Sequence, residues 1–213
     1  MALQGTLIWL CSLAALSSSA AQDETLTQNC SSQAQILEHL KEAVECGDKL
    51  PSAWSSQETA TLLLTMKNLT DTLHRQQLKE CKGADPKSCP EAEVPENGGL
   101  ACVSVFNKRY CKPLCNNGYD FAFMRRSGFY NECSRETGYR WHSQYVGGNR
   151  LAVCNKESFP VAGINTAYFP KDQNCLTTKS SAQLQSSVIN VFTAELKLAG
   201  VQGDPEYACL VCG

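Results

Sequence analysis

The sequence predicts an α+β protein in which a small, disulfide-rich all-β module is inserted between helical flanking segments. Three observations lead to this fold class. Apolar residues recur at helical spacing in the N-terminal and C-terminal parts of the chain. Between Lys82 and Cys175 that spacing is lost, and Gly, Asn and Pro interrupt the chain every few residues. The chain also contains 13 cysteines, and such a number is typical of folds held together by disulfides.

Residues 1–21 are predicted to be a signal peptide. An apolar run from Leu7 to Leu16 precedes small residues, so cleavage is expected after Ala21, with Ala20 as the alternative. The run is shorter than the ~20 residues that a membrane-spanning helix needs, and no second run of that length follows. We therefore expect a secreted, extracellular protein without a membrane span.

The N-terminal region, residues 22–88, is predicted to contain two helices. The apolar face of the first consists of Ile36, Leu37, Leu40, Ala43 and Val44. The second begins at a capping box that spans Ser55 to Glu58. Its apolar face consists of Leu62, Met66, Leu69 and Leu73. We expect a helical hairpin whose apolar faces belong to a core rather than to a ligand groove.

The C-terminal region, residues 155–213, is predicted to contain one helix. Ser180 and Ser181 offer an N-cap, and Gly200 is a typical stop. Between them the apolar positions are Leu184, Val188, Val191, Phe192, Leu196 and Ala199. The chain then returns to cysteine at its end.

Two glycosylation sequons and the overall charge of the chain limit the classes of partner that we expect. Asn29 and Asn68 each begin an N-x-S/T acceptor site, so both are candidate glycosylation sites. The formal net charge of -2 argues against a nucleic acid as the main partner. Both features fit an extracellular glycoprotein.

The cysteine pattern is most specific in residues 89–154. Its landmarks, in order, are Cys89-Pro90, Pro95-Glu96-Asn97-Gly98, Cys115-Asn116-Asn117-Gly118-Tyr119, Cys133 followed by Gly138 and Trp141, and Cys154. The pattern resembles a sushi (complement control protein) module, which opens with Cys-Pro and has Pro-x-Asn-Gly soon after. That family also has Cys-x-x-Gly-Tyr at its second framework cysteine, and a Trp before the closing one.

The resemblance implies a disulfide pairing for this module. Its framework pairs would be Cys89–Cys133 and Cys115–Cys154, and Cys102–Cys111 would be the extra pair that selectins and some matrix proteins of the family contain. The segment between Trp141 and Cys154 is longer than in the family, so we expect it to form a loop. Loops on a rigid scaffold often bind ligands, and this one contains Tyr145.

Six cysteines of the mature chain remain outside the module. Three precede it and three follow it, namely Cys30, Cys46, Cys81, Cys175, Cys209 and Cys212. An even total of twelve after removal of Cys11 fits complete pairing in an oxidising compartment. Because three is odd, at least one disulfide must then join the two flanks, unless a cysteine is free or bonded to another chain.

No pattern in the sequence indicates an enzyme. Cys209 and Cys212 have the spacing of a redox dithiol. Such motifs usually lie at a helix N-terminus that lowers the thiol pKa, and nothing of that kind precedes them, so a structural role is expected. The three histidines, His39, His74 and His142, are too scattered for a metal site. No catalytic signature is present, and we expect neither a catalytic residue nor a cofactor.

The candidate ligand surface is a set of basic residues and one tyrosine: Lys108, Arg109, Lys112, Arg125, Arg126 and Tyr145. Acidic residues lie in the same module, so a solvated face of mixed charge is the alternative. The resemblance implies a secreted glycoprotein that binds an extracellular protein or glycan, as adhesion, matrix and immune-recognition proteins do. The other hypothesis is a secreted signalling or inhibitory factor whose helical flanks carry the activity. The sequence leaves the oligomeric state open.

Overall fold

A computed structural model describes residues 33–47, 54–126, 128–142 and 147–213 of the chain. The signal peptide, Asn29, Cys30 and Tyr145 lie outside these ranges. The chain divides into two compact units, residues 1–63 and 64–213. The α+β class is confirmed, with antiparallel sheets between helices that are mostly N-terminal and C-terminal.

The N-terminal helices form where the sequence predicts them. Helix α1 spans Gln33–Glu45, and helix α2 spans Ser56–Glu80. The capping box at the start of α2 is confirmed: the Glu58 amide donates to Ser55 Oγ at 3.3 Å, and the Ser55 amide donates to Glu58 Oε2 at 2.8 Å. These two bonds satisfy amides that have no partner within the helix.

Most large apolar side chains on the faces of α1 and α2 are exposed, and a core role for these faces stays a prediction. The exposed side chains are Ile36, Leu37, Val44, Leu62, Met66 and Leu73. A periodic pattern shows that a helix has an apolar face, but not what covers that face. Only the last turns of α2 pack on a core, through Leu78.

A four-stranded antiparallel sheet forms the centre of residues 64–213. Its strands are β1 (Gly98–Val105), β2 (Lys108–Cys115), β4 (Asn131–Cys133) and β6 (Tyr207–Cys212), in the spatial order β4-β2-β1-β6. The hairpin of β1 and β2 turns at Phe106 and Asn107, which both have positive φ, as a two-residue type I′ turn requires.

Strands β3 (Tyr119–Phe121) and β5 (Cys154–Lys156) form a separate antiparallel ribbon. Gly118 precedes this ribbon with a φ of 85°, in the region that favours glycine. Trp141 is buried, and its indole N–H donates to the Pro90 carbonyl at 2.9 Å. Trp141 is therefore a core residue.

Two C-terminal helices, α3 (Cys175–Lys179) and α4 (Ala182–Leu198), complete the fold. The predicted N-cap of α4 is confirmed, because Ser181 Oγ accepts from the Leu184 amide. Phe192 and Leu196 of α4 are buried in a cluster with Val103 and Leu210 of the sheet. Leu100 and Val211 belong to a second cluster, which also contains Trp141. The sheet is therefore packed on both faces.

The central sheet does not end at Cys154, where the sequence analysis placed a domain boundary. Strand β6 pairs with β1 in the register Cys102↔Cys209 and Leu100↔Val211. The C-terminal residues thus supply one strand of the sheet. Residues 89–154 and 155–213 form one structural unit rather than a module and a separate flank.

Five disulfides connect this unit: Cys81–Cys209, Cys89–Cys133, Cys102–Cys111, Cys115–Cys154 and Cys175–Cys212. The three bonds within residues 89–154 are those that the sequence resemblance implied. The bond between the flanks, required if all cysteines pair, is also present. Cys46 is exposed and unpaired, so complete pairing is not found among the described residues, whose other cysteines are all taken by these five bonds.

The outer edge of β6 is covered by side chains instead of a further strand. Gln77 Nε2 donates to the Cys212 carbonyl at 2.7 Å, and the Cys212 amide donates to Gln77 Oε1 at 3.1 Å. Lys179 Nζ donates to the Leu210 carbonyl at 3.0 Å. Side chains that occupy an edge in this way prevent its pairing with another chain.

Across the ranges that the structure describes, we find no helix long and apolar enough to cross a membrane.

We expect the Gln77→Met variant to unfold with a free energy about 1–3 kcal/mol lower than wild type, because the Cys212 backbone loses both partners. The matched control is Gln76→Met, on the neighbouring exposed position, which should change this value by less than about 0.5 kcal/mol. Urea titration followed by circular dichroism measures both. Equal effects of the two variants would show that Gln77 does not support the edge.

Candidate functional site

A cleft opens where two backbone segments of residues 64–213 diverge. Glu93 and Arg150 form a parallel β-bridge, in which the Glu93 amide donates to the Asn149 carbonyl at 2.8 Å. Beyond this bridge, residues 94–97 and 152–156 separate and form the walls of the cleft, which has a volume of about 860 Å³. His74 and Leu78 of α2 also line it. This volume lies in the range of sites that bind small or extended ligands.

One wall of the cleft is the free edge of β5. The Ala122 amide donates to the Val153 carbonyl, and the Glu157 amide donates to the Gly118 carbonyl, so these groups point toward β3. Backbone groups of alternate residues point to opposite sides of a strand. Those of Cys154 and Lys156 therefore point away from β3, and both residues line the cleft. In the described part of the chain, β3 is the sole strand paired with β5.

Covalent and polar contacts hold this wall in place. Cys154 is bonded to Cys115 at the end of β2. The Leu151 carbonyl accepts from Arg125 Nη1 at 2.9 Å, and the Arg125 guanidinium lies 5.7 Å from the centre of the Phe121 ring. Since Arg125 is buried, its position is fixed from several sides. The edge of β5 is thus a rigid element.

A buried carboxylate connects β3 to the segment that follows β5. Asp120 Oδ2 accepts from the amides of Val161 (2.9 Å) and Ala162 (3.1 Å), and Oδ1 accepts from Tyr168 Oη at 2.5 Å. Burial alone would raise the pKa of Asp120, but the hydrogen bonds from Tyr168 and from backbone amides lower it below its usual value. The ionised carboxylate therefore stabilises the ribbon.

Charges of both signs surround the cleft. Glu93 and Arg150 form an ion pair at 3.0 Å, and Glu91 pairs with Lys82 at 3.6 Å. Glu96 lies on one wall and Lys156 on the other, and both are exposed. The lining contains three glutamates against Arg150 and Lys156, so the cleft has no electrostatic attraction for a polyanion.

The predicted ligand surface is wrong for Arg109, Lys112 and Arg125, because all three side chains are buried. Lys112 is 1% exposed, and its Nζ donates to Glu195 Oε2 at 2.6 Å and to Thr166 Oγ1 at 2.9 Å. Burial lowers the pKa of Lys112, whereas the bond to Glu195 opposes this shift. Lys112 is an internal cation with an internal counter-ion.

Arg109 has a similar structural role. Its Nη2 donates to the Cys81 carbonyl at 2.7 Å, next to the disulfide that joins the flanks. Burial lowers the pKa of this guanidinium. Arg109 therefore helps to fasten the end of α2 to the sheet.

The remaining members of the predicted surface do not form a basic patch. Lys108 lies between Glu132 (3.5 Å) and Glu136 (3.3 Å). Arg126 is exposed, and its Nε donates to the Val161 carbonyl at 3.2 Å. Tyr145 lies outside the described residues. These contacts favour the alternative of a solvated face with mixed charge.

The cleft was missed because its lining residues have no chemical signature. Glu93, Pro95 and Lys156 belong to short segments that carry no motif of a binding site. The one available signal was the long segment before Cys154, where the sequence analysis expected a loop with a binding role. Arg150, at its end, lines the cleft.

The structure provides no metal centre or dithiol among the residues it describes. No three His, Cys, Asp or Glu side chains there are placed to hold a metal ion. Cys209 and Cys212 are bonded to two different partners, Cys81 and Cys175. The two cysteines therefore form two separate structural disulfides from one strand, β6.

Comparison with known proteins gives no further guide to this site: no family model, curated protein or solved structure matches the chain. Its interpretation rests on the geometry described above.

We expect Glu195→Leu to lower the free energy of unfolding by about 3–5 kcal/mol, because it leaves the Lys112 ammonium buried without its counter-ion. The double variant Lys112→Met with Glu195→Leu should recover most of this loss, since it removes both charges. Denaturant unfolding of wild type, the two single variants and the double variant measures the coupling free energy between Lys112 and Glu195. A loss below about 1 kcal/mol in the single variant would contradict the burial of a charged Lys112.

We expect Asp120→Asn to weaken the fold at neutral pH and to flatten its acid dependence. The folded pKa of Asp120 is lowered, so its stabilisation is complete above the unfolded pKa of about 4 and is lost as pH falls through the folded value. The loss at pH 7 should be about 2 kcal/mol or more. Unfolding curves between pH 7 and pH 2 test this, with exposed Asp172→Asn as the control. Parallel curves for wild type and Asp120→Asn would contradict it.

Proposed function

We propose that this protein is a secreted glycoprotein that binds an extended segment of another extracellular protein in the cleft. The observation that carries this proposal is the outer edge of β5, where the backbone groups of Cys154 and Lys156 point away from β3 and both residues line the cleft. A strand edge of this kind binds a peptide by adding it as a further strand. The resemblance of residues 89–154 to a recognition module supports the same function.

The lining of the cleft favours a protein ligand over a glycan. A peptide backbone matches the donors and acceptors of Cys154 and Lys156 at the regular spacing of a strand. Leu78, Val94 and Ala152 add apolar surface, against which alternate side chains of the peptide can pack. At about 3.3 Å per residue, β5 and the residues before it provide a ladder for roughly four residues of ligand.

Secretion is supported by independent features of the chain. The predicted signal peptide and sequons agree with an extracellular protein, and five disulfides are typical of an oxidising compartment. A rigid, covalently connected cleft loses little conformational entropy when it binds a ligand.

The test uses one position with two substitutions. Lys156→Pro removes an amide that points away from β3 at the cleft wall, and the pairing with β3 does not use that amide, so the ribbon is retained. Lys156→Ala removes the side chain and keeps the amide. Linear peptides are selected from a phage-displayed library on the wild-type protein, and their affinities are measured for both variants.

We expect the selected peptides to bind Lys156→Ala with an affinity within about threefold of wild type, and Lys156→Pro about tenfold or more weakly. Similar affinities for all three proteins would contradict strand addition at β5. A second outcome would favour a glycan as the ligand. In that case no peptide is selected, and wild type and Lys156→Pro bind equally to a glycan array.

The second candidate is a signalling or inhibitory factor that acts through its helical flanks. The exposed apolar residues of α1 and α2 favour it, because such surfaces mark interaction sites. In that case a cellular response to the protein should persist in Lys156→Pro and disappear when Met66 and Leu73 are replaced by Gln.

A further inference from the structure

A second, smaller cavity of residues 64–213 has a basic lining, and we call it the basic pocket. Its charged lining residues are Lys82, Lys87, Arg109 and Glu91, so three positive charges face one negative charge. Its volume is about 260 Å³, which is below the range of sites that enclose a whole drug-sized ligand. The basic pocket is therefore suited to a small anionic group.

Arg109 contributes a buried positive charge to this pocket. The residue is 6% exposed, and its Nη2 donates to the Cys81 carbonyl at 2.7 Å. Its Nε is buried and has no hydrogen-bond partner among the described residues. Glu91 opposes the effect of burial on the pKa of this guanidinium, but the ion pair of Glu91 is with Lys82. The protein thus leaves Arg109 incompletely paired, and an anion in the pocket would compensate its charge.

The two lysines of the pocket are available to a ligand. Lys82 and Glu91 lie 3.6 Å apart, and their side chains are 60% and 39% exposed. Because an exposed ion pair of this kind contributes little free energy, Lys82 can exchange Glu91 for a ligand at low cost. Lys87 is exposed and has no ion-pair partner within the part of the chain that the structure describes.

The backbone that carries these lysines is held at three points. The disulfides of Cys81 and Cys89 fix both ends of residues 82–88. Between them, the buried hydroxyl of Ser104 in β1 donates to the Asp85 carbonyl at 2.7 Å. Only the lysine side chains therefore have to be ordered when a ligand binds, which keeps the entropic cost of binding low.

The number of cations indicates the chemical class of the ligand. A sulfate or phosphate monoester has three terminal oxygens, each of which accepts charge-assisted hydrogen bonds. Lys82, Lys87 and Arg109 provide one cationic donor group for each of these oxygens. A carboxylate has two oxygens and would leave one of the three cations without a partner. The composition of the pocket thus favours a tetrahedral oxyanion.

We propose that the basic pocket binds the sulfate or phosphate monoester group of a ligand. The proposal does not depend on strand addition at β5, because neither Cys154 nor Lys156 lines this pocket. Loss of peptide binding in the cleft and loss of oxyanion binding here are therefore separate results.

The test records amide NMR spectra of the full mature protein, labelled with ¹⁵N, during titration at constant ionic strength. Inorganic sulfate is the first probe, and acetate is the matched carboxylate. Lys87→Gln removes a cation of the pocket, and Glu91→Gln removes its carboxylate. The matched control is Lys171→Gln, because Lys171 is also an exposed lysine but lies outside the lining. Signals of residues outside the pocket monitor the fold of each variant.

We expect sulfate to cause saturable shifts at residues 81–91 and at Arg109, with a dissociation constant below about 10 mM. Lys87→Gln should raise this constant about fivefold or more, since it removes one cationic donor. Glu91→Gln should lower it about twofold or more, because a repelling charge is lost and Lys82 is released. Lys171→Gln should leave it within about 1.5-fold of the wild-type value.

Shifts that do not saturate would overturn the proposal, and so would equal effects of Lys87→Gln and Lys171→Gln. Acetate that binds as tightly as sulfate would contradict the choice of a tetrahedral oxyanion. Tyrosine O-sulfate, O-phosphotyrosine and glucosamine 6-sulfate then identify the source of the group, and at least one of them should bind more tightly than inorganic sulfate. If none does, the pocket holds a free ion and not an ester, and the proposal is wrong.

Discussion

The pairing of β6 with β1 is the constraint on which the rest of the structure depends. It makes β1 a central strand, and it brings Cys209 and Cys212 to the positions where they bond Cys81 and Cys175. One of these bonds holds the end of α2 and the other holds the start of α3. Without β6, the sheet would lose a strand, and α2 would lose the covalent link that places its last turns beside the cleft.

The cleft follows from that arrangement because each of its walls is tied to a different part of the frame. The wall formed by residues 94–97 leads directly into β1, whereas β5 is held by Cys115, Asp120 through β3, and Arg125. Buried polar groups with complete hydrogen bonding confer a defined geometry rather than a large net stability. Lys112 and Asp120 are of this type. The buried charges therefore fix the shape of the unit, whereas the charged residues that line the cleft, such as Glu96 and Lys156, are exposed.

Local signals in the sequence predicted local structure well. The caps at Ser55 and Ser181 set the starts of α2 and α4, and the change of periodicity separated the helices from the strands. Local signals do not reveal interactions between residues that are far apart in the sequence. Lys112 contacts Glu195, 83 residues away, and because this contact is not visible in the sequence, Lys112 was predicted to lie on the ligand surface. The structural role expected for Cys209 and Cys212 is confirmed, but their partners, Cys81 and Cys175, could not be identified from local signals. The apolar face of α2 was recognised from its periodicity, but periodicity contains no information about what covers that face.

The Cys81–Cys209 bond also has a consequence for biosynthesis. Its cysteines are separated by 128 residues, so the thiol of Cys81 emerges from the ribosome long before its partner exists. At the usual pace of translation this delay is roughly 6–26 s. During that time Cys89, Cys102, Cys111 and Cys115 become available to the same thiol. The nascent chain must therefore either keep Cys81 reduced or correct an early mispairing by thiol–disulfide exchange, and its maturation should depend on an isomerase more than its small size suggests.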